Sequence, residues 1–451
     1  MAFTAAAAEA EPAATLAPRR VLIDVRSNHS DGAHGMDELV RMAVQRGIDV
    51  LAFTEHDRTG IRLGLAPIPG LLGYTIERPS LYTTGLQAFF ADLAHMRDTY
   101  PHMGFLAGTE STPGYEWSGL PFRNLSLHGV DRHIITLGAE SSEQIEALPS
   151  YDLRHVPGHR GLSMIFWTLV VAAAFFPARK GRRWAMLLLG GGVAAWVALL
   201  WPAGQDDADT AFIAAARGQG LFTIWAHPGT HSGERDGPMG IRLATPPYSK
   251  RVFSESTADA FAAVYGDSDA NTVAGGLWDQ YMMAYMRGEH ARPIWGVAAG
   301  DFHAQGEAHE YLGNFPMDVW VGNRSTVLAA LRAGHMVAWG LPKDRNLRLR
   351  ELSVSDGHGR YLLPGDEAHV GGEITLYAKL VEAPAVPTAK STAFPAEVIV
   401  DGKVVRQPVL AVNEPAQLTL HLAPGAHVLR LRIAAGAIRM EANPFLLRVD
   451  G

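Results

Sequence analysis

Two apolar runs without a single charge constrain this chain more than any other feature. One extends from Gly161 to Ala178 and is dominated by Ile165, Phe166, Trp167, Leu169, Val170, Val171, Phe175 and Phe176. The other, from Trp184 to Gln205, carries Leu187, Leu188, Leu189, Val193, Val197, Leu199 and Leu200. Each approaches the ~20 residues that a helix needs to cross a bilayer. Between them stands Arg179-Lys180-Gly181-Arg182-Arg183, and Trp184 and Trp201 lie near run ends, where interface anchors belong. Such a pair forms either a helical hairpin buried in a large domain or a transmembrane hairpin. A tight turn with four cations favours the second, with the turn facing the cytoplasm. Both flanks would then lie outside, a side that suits Asp206, Asp207 and Asp209. Export calls for a signal peptide, and the Ala-rich stretch Met1 to Pro18 reads either as the tail of one or as a plain leader.

The rest of the 451 residues reads as folded protein, since 47% of the chain is hydrophobic and only 19% is charged. Lys and Arg number 39 against 46 Asp and Glu, a net −7, so no basic face is implied and no nucleic acid is expected as a partner. Cysteine is absent, which removes disulfides, thiolate metal sites and cysteine nucleophiles together. Any metal must sit on nitrogen and oxygen, and the 19 histidines make that feasible.

Outside the hairpin, short apolar strands alternate with helical stretches. Val21–Val25, Val50–Phe53, Gly104–Ala107, His133–Leu137, Leu221–Ala226 and Ile294–Ala298 read as strands. Met36–Arg46 and Ser325–Gly334 read as helices. Alternation of this kind predicts a parallel sheet or a closed barrel. From about Leu347 the apolar period becomes two, as in Ile374, Leu376 and Ala378, with turns at Asp401-Gly402 and Pro424-Gly425. That pattern predicts a small β-sandwich, whose histidines (His358, His369, His421 and His427) read as surface residues.

Polar residues cluster at the strand ends. Asp24 and Asp31 follow the first strand, Glu55-His56-Asp57 the second, and Glu110 the third. His133 precedes Ile-Ile-Thr-Leu-Gly, His227 follows Thr-Ile-Trp-Ala, and Asp301 and His303 follow Gly-Val-Ala-Ala-Gly. In a barrel such positions line the mouth. Carboxylates and imidazoles in that order suit a multinuclear centre for zinc, manganese or iron. His128 competes with His133 for its place, and the strand after His133 favours the latter.

Ser30-Asp31-Gly32 and Leu-Ala-Phe-Thr-Glu-His resemble the opening motifs of the PHP (polymerase and histidinol phosphatase) family. Gly108-Thr109-Glu110, Ala226-His227-Pro228-Gly229 and Gly300-Asp301-Phe302-His303 resemble its later ones, in order. The resemblance covers about Val21 to Trp339. It implies a distorted (β/α)7 PHP-type barrel interrupted by the two-helix hairpin and, as in one branch, followed by a small all-β sandwich. The expected divisions are a leader over 1–19, barrel over 20–158 and 206–343, hairpin over 159–205 and sandwich over 344–451. It also implies two to three divalent ions (zinc, manganese or iron) and phosphoester hydrolysis by a metal-activated hydroxide. Glu110 would bridge, His133 and His227 would complete one metal, and Asp31, His56 and His303 would hold another. Asp301 would belong to a third with the opening motif, where Asp24 can still ligate. The family usually opens with His-x-His, and this chain has Asp24-Val25-Arg26 instead. Arg26 cannot ligate a metal, because guanidinium offers no lone pair. It is expected either to clamp a substrate phosphate as a catalytic group or to mark a decayed centre that binds without cleaving. His29 reads as a surface residue of the loop. Together these readings give a two-pass protein of the bacterial inner membrane with a periplasmic barrel. Its substrate would be a small phosphate ester, with amide or carbamate hydrolysis as the alternative.

Overall fold

The computed structural model describes residues 17–450 except 69, 121–122, 152–158, 201–206, 230–233, 255–257, 266–269, 307–309, 323–324, 357–358 and 384–392. The leader up to residue 16, Trp201, Asp206 and His358 therefore lie outside the described residues.

Seven strands form the wall around which the site is built. They are β1 (Arg19–Val25), β2 (Val50–His56), β3 (Gly104–Ser111), β4 (Ile134–Ala139), β5 (Phe222–Trp225), β6 (Ala260–Val264) and β7 (Trp295–Ala298), hydrogen-bonded in that order. The sheet returns on itself just past β7. There the Arg26 N–H donates to the Phe302 carbonyl, and the Phe302 N–H donates to the Asp24 carbonyl, both at 3.0 Å. Only the C-terminal end of β1 closes this way. Its N-terminal half pairs instead with β8 (Pro316–Val319), antiparallel, so the barrel splays open at its base.

The all-parallel expectation is corrected at β4, which runs antiparallel to both β3 and β5. Among its described residues the segment between β3 and β4 holds two short paired strands and no crossover helix, so the chain re-enters the sheet from the end at which it left. The reversal puts the start of β4, and with it His133, at the same mouth as the ends of the other strands. The strand Ala260–Val264 joins the sheet although its Ala-Phe-Ala-Ala-Val sequence carries little strand signal.

Helix α1 (Met36–Gln45) covers the wall with Met36, Leu39, Val40 and Ala43. Its end is set by Gly47, which takes φ 68°. The last barrel helix (Val327–Ala333) starts at Thr326, whose hydroxyl accepts from the Ala329 N–H, and ends at left-handed Gly334.

β8 pairs antiparallel with β9 (Met336–Gly340), and β9 pairs with Ile438–Ala442 of the C-terminal unit. One sheet of the sandwich is thus an extension of the barrel sheet, and the other packs over it around Leu349, Leu352, Val398 and Leu431. Two buried polar nodes tie the units. Asp318 accepts from Arg20 Nη1 (2.7 Å), Trp339 Nε1 (2.7 Å) and the Leu349 N–H (2.8 Å). Arg430 donates to Asp279 from Nε (2.6 Å) and to Glu441 from Nη1 (2.9 Å). Of the sandwich histidines, His369 and His421 are exposed and His427 is half-buried, bonded to Asp401 and the Ala423 carbonyl.

Helices α2 (Arg160–Arg179) and α3 (Arg183–Leu200) form an antiparallel hairpin around the turn at Gly181. Gly192 lets α3 approach Val170 and Val171, and Trp196 Nε1 donates to Thr168 Oγ1 at 3.0 Å. The alternative of a hairpin buried inside the domain fails, because Leu169, Phe176 and Leu187 are 63%, 71% and 78% exposed. Among the described residues one helix, α2, is long and apolar enough to cross a membrane, and the Arg183–Leu199 stretch is apolar but shorter. After the hairpin, Asp207 and Asp209 are taken up in ion pairs. Asp209 is fully buried between Arg132 Nε (2.6 Å) and Arg251 Nε (2.9 Å), and Asp207 pairs with Arg251. Both open the helix Ala208–Gly218, where a carboxylate is favoured by the exposed N–H groups.

Candidate metal centre

All eight carboxylates and imidazoles singled out in the sequence converge on the mouth of the barrel. Among the described residues three groups place their ligand atoms within 4.8 Å of one another: Asp31, His56 and His303; Glu110, His133 and His227; Asp24, Glu110 and Asp301. The strands are deformed to achieve this. Asp24, His227 and Asp301 all take positive φ (67°, 25° and 46°), a conformation that costs an L-residue and collects at functional sites. The β1–β2 register slips between Leu22 and Val25, and the β3–β4 register slips between Ala107 and Gly108. A Cβ on Gly108 would stand 1.8 Å from the Thr136 carbonyl, so only glycine permits this bulge two residues before Glu110.

The second group is the tightest. His133 Nδ1 lies 3.0 Å from Glu110 Oε1, His227 Nε2 lies 3.3 Å from the same oxygen, and the two nitrogens are 3.2 Å apart. An ion bound tetrahedrally at ~2.0–2.1 Å sets neighbouring ligand atoms about 3.3 Å apart, so this triangle fits a metal. In the first group Asp31 Oδ2 is 3.6 Å from both His56 Nε2 and His303 Nε2. The outer nitrogens are held from behind. His303 Nδ1–H donates to the Asp301 carbonyl (2.8 Å) and His56 Nδ1 faces the Glu110 carbonyl (3.4 Å), which turns each Nε2 toward Asp31. Glu110 spans the groups, its other oxygen lying 3.7 Å from His56 Nδ1.

The third group already contains a cation. Arg26 is 0% exposed, with Nη1 at 2.9 Å from Asp301 Oδ1 and 3.5 Å from Asp24 Oδ1, Nη2 against Glu110 Oε2, and Nε 3.9 Å from Asp31 Oδ1. These residues fit a guanidinium in place of a metal. The carboxylates draw Arg26 beneath the mouth, and it is not among the residues that line the cavity above. His29 is corrected from a surface to a buried residue. It packs edge-on against Phe89 and bonds Asp92 Oδ2 (2.8 Å), away from the ligand atoms. His128 bonds Ser118 and stands outside the three groups.

Charge balance follows from burial. Burial works against the Arg26 cation, but Asp301, Asp24 and Asp31 outweigh it and hold the guanidinium above its ordinary value. Burial works against Asp301 and Asp31 as anions, yet Arg26 and the surrounding imidazoles keep both below the carboxylate range. Burial raises Asp24 despite Arg26. Burial, with His227 beside it, pushes His133 down to about 4, and burial with Arg26 holds His56 well below its usual value. Both rings are thus neutral, the form that ligates. For His303 burial is outweighed by its bond to Asp31, and the ring is raised.

Two supporting carboxylates went unassigned in the sequence, although both stand in the Glu55-His56-Asp57 run. Glu55 accepts from Ser27 Oγ (2.6 Å), the Ser27 N–H and Ser30 Oγ (2.5 Å), so it anchors the loop that carries Asp31, and burial pushes it up to about 7. Asp57 accepts from Ser111 Oγ (2.8 Å) and Ser150 Oγ, and burial raises it.

Above the centre lies a cavity of about 320 Å³, with Asp31, His56, His133, Asp301 and His303 in its floor. Arg58, Arg78 and the Arg235–Asp131 pair (2.5 Å, bidentate) stand in its walls.

No protein-family model matches the sequence, and no curated protein does. Among solved structures, a two-domain protein from Bacteroides vulgatus containing a predicted PHP-like metal-dependent phosphoesterase is similar at 11% identity over 100% of both chains, with a TM-score of 0.40. An amidohydrolase from Chromobacterium violaceum, with bound sulfate and no metal, is similar at 17% identity over 64% of this chain and 88% of its own, with a TM-score of 0.27. At such scores the function has to be sought in this chain's own residues.

Proposed function

We propose that the chain is a membrane-tethered metal-dependent hydrolase of the PHP type, acting on phosphoesters with two divalent ions. The observation that carries this reading is the Glu110–His133–His227 triangle, set 3.0–3.3 Å on a side beside a second His/Asp group. Glu110, His133 and His227 would hold one ion, and Asp31, His56 and His303 the other. Divalent ions so placed polarise a phosphoryl oxygen and make water an effective nucleophile at neutral pH. Arg26 supplies fixed positive charge under the centre. Arg58 and Arg78 give the cavity cationic walls, which favours an anionic phosphoester over a neutral amide or carbamate. Metal-loaded protein should hold two ions per chain and turn over aryl phosphates at least about tenfold faster than aryl carbamates, as a factor of ~1.4 kcal/mol in the barrier requires. The reverse order makes it an amide or carbamate hydrolase, and absence of bound metal makes it a binding protein.

The tether is the α2–α3 hairpin, with its basic turn on the cytoplasmic side and the barrel and sandwich in the periplasm. Its support is the exposure of the apolar side chains on both helices. The chain should stay in the membrane pellet through an alkaline carbonate wash, and protease added to intact spheroplasts should reach the barrel. Release by carbonate rejects the tether, and protection from protease rejects the orientation.

A further inference from the structure

The catalytic cavity does not end at the metal centre. Its walls Ile61 and Ile76, from the hairpin Thr59–Gly64 and Gly73–Arg78, also line a second cavity of about 310 Å³. That second lobe is mainly apolar: Leu63, Tyr74, Trp117, Leu125 and Met239 line it, and Arg123 is the one charged residue in its lining. Its rim is spliced to the foot of α2. The His159 N–H donates to the Gly64 carbonyl (2.8 Å), the Ala66 N–H to Ser163 Oγ (2.7 Å), and Trp167 Nε1 to the Ala66 carbonyl (2.8 Å). Beside this junction the loop tips carry exposed apolar side chains, Leu71 at 81% and Met239 at 78%. In the polar lobe, Arg58 is 7% exposed and its Nη1 has no hydrogen-bond partner. That nitrogen is closed off from the cavity, so Arg58 acts on a ligand in this lobe through the positive charge it places at the wall.

We propose that the site binds an amphiphile. A phosphoester head group sits over the metal centre against Arg58, and an alkyl or acyl chain runs past Ile61 and Ile76 into the apolar lobe. The proposal rests on the hydrolase reading for the fate of the head group, but the recognition itself does not depend on turnover. Two lobes of opposite character sharing a wall suit a ligand with two such ends, and the lobe for the chain opens beside the helices that would enter the bilayer. Arg58 would select the head and the apolar lobe the tail, so the substrate class is a single-chain or membrane-derived phosphoester rather than a free sugar or nucleotide phosphate.

The test uses the full chain in lipid nanodiscs, metal-loaded, titrated calorimetrically with methyl-, butyl- and octylphosphonate, which cannot be hydrolysed as esters. Affinity should rise with chain length by up to about fourfold per methylene, the factor expected for burying one. The Met239→Asp/Tyr74→Asp double variant, placed at exposed positions to spare the fold, should flatten that slope. Arg58→Gln should weaken all three ligands by a similar factor, about tenfold for a charge lost from the wall of a cleft. Equal affinity for methyl- and octylphosphonate, a slope unmoved by the double variant, or no binding of any member overturns the proposal. A slope that behaves as expected in a protein without metal-dependent turnover rejects the hydrolase reading alone.

Discussion

Glu110→Gln should strip the protein of metal and of hydrolysis while leaving the fold in place. Glu110 is fully buried, and its two oxygens serve different neighbours. One faces His133 and His227, and the other faces Arg26 and His56. The amide keeps the volume but removes the charge that offsets two ions. Even an outer-shell partner of a metal is worth 10–100-fold in affinity, so loss of a shared ligand should exceed about 100-fold. Arg26 would retain Asp301, Asp24 and Asp31, which is why the variant should remain folded. Elemental analysis after dialysis should fall from two ions per chain to below one, and aryl phosphate turnover should vanish. A variant that keeps wild-type turnover removes the basis for a metal centre at this place.

The candidate ligand positions were legible because most of them follow an apolar strand, and strand ends in a barrel share a mouth. His133 broke that rule in the sequence, standing before its strand, and the reversal of β4 accounts for it. Other features could not be read from one chain. Ala260–Val264 is three-fifths alanine, with Val264 its single β-branched residue, and gains its conformation from burial in the sheet. Nothing near Asp207 and Asp209 in sequence announces Arg132 and Arg251, which the fold delivers to them. The apolar lobe is likewise a product of tertiary structure. Its walls come from segments as far apart as Ile61 and Met239, none of which has a periodic pattern of its own.

Arg26 is the residue whose replacement should change most. Four carboxylates, Asp24, Asp31, Glu110 and Asp301, face one guanidinium that has no access to water. Deleting one partner of a buried ionic cluster costs about 3–5 kcal/mol, because the remaining charges lose compensation without gaining solvent. Metal-free Arg26→Met should therefore unfold at clearly lower urea concentration than the wild type, with an unchanged slope. Arg26→His should behave differently once metal is supplied. Its neutral imidazole offers the lone pair that guanidinium lacks, and Asp24, Glu110 and Asp301 already lie within 4.8 Å of one another. A third ion would then supply the positive charge that Arg26 provides in the native chain. Metal content should rise from two to three per chain, and the urea midpoint lost without metal should be recovered with it. Wild-type protein that already holds three tightly bound ions, or an Arg26→His variant that still holds two, would show that the guanidinium does not stand in a metal's place.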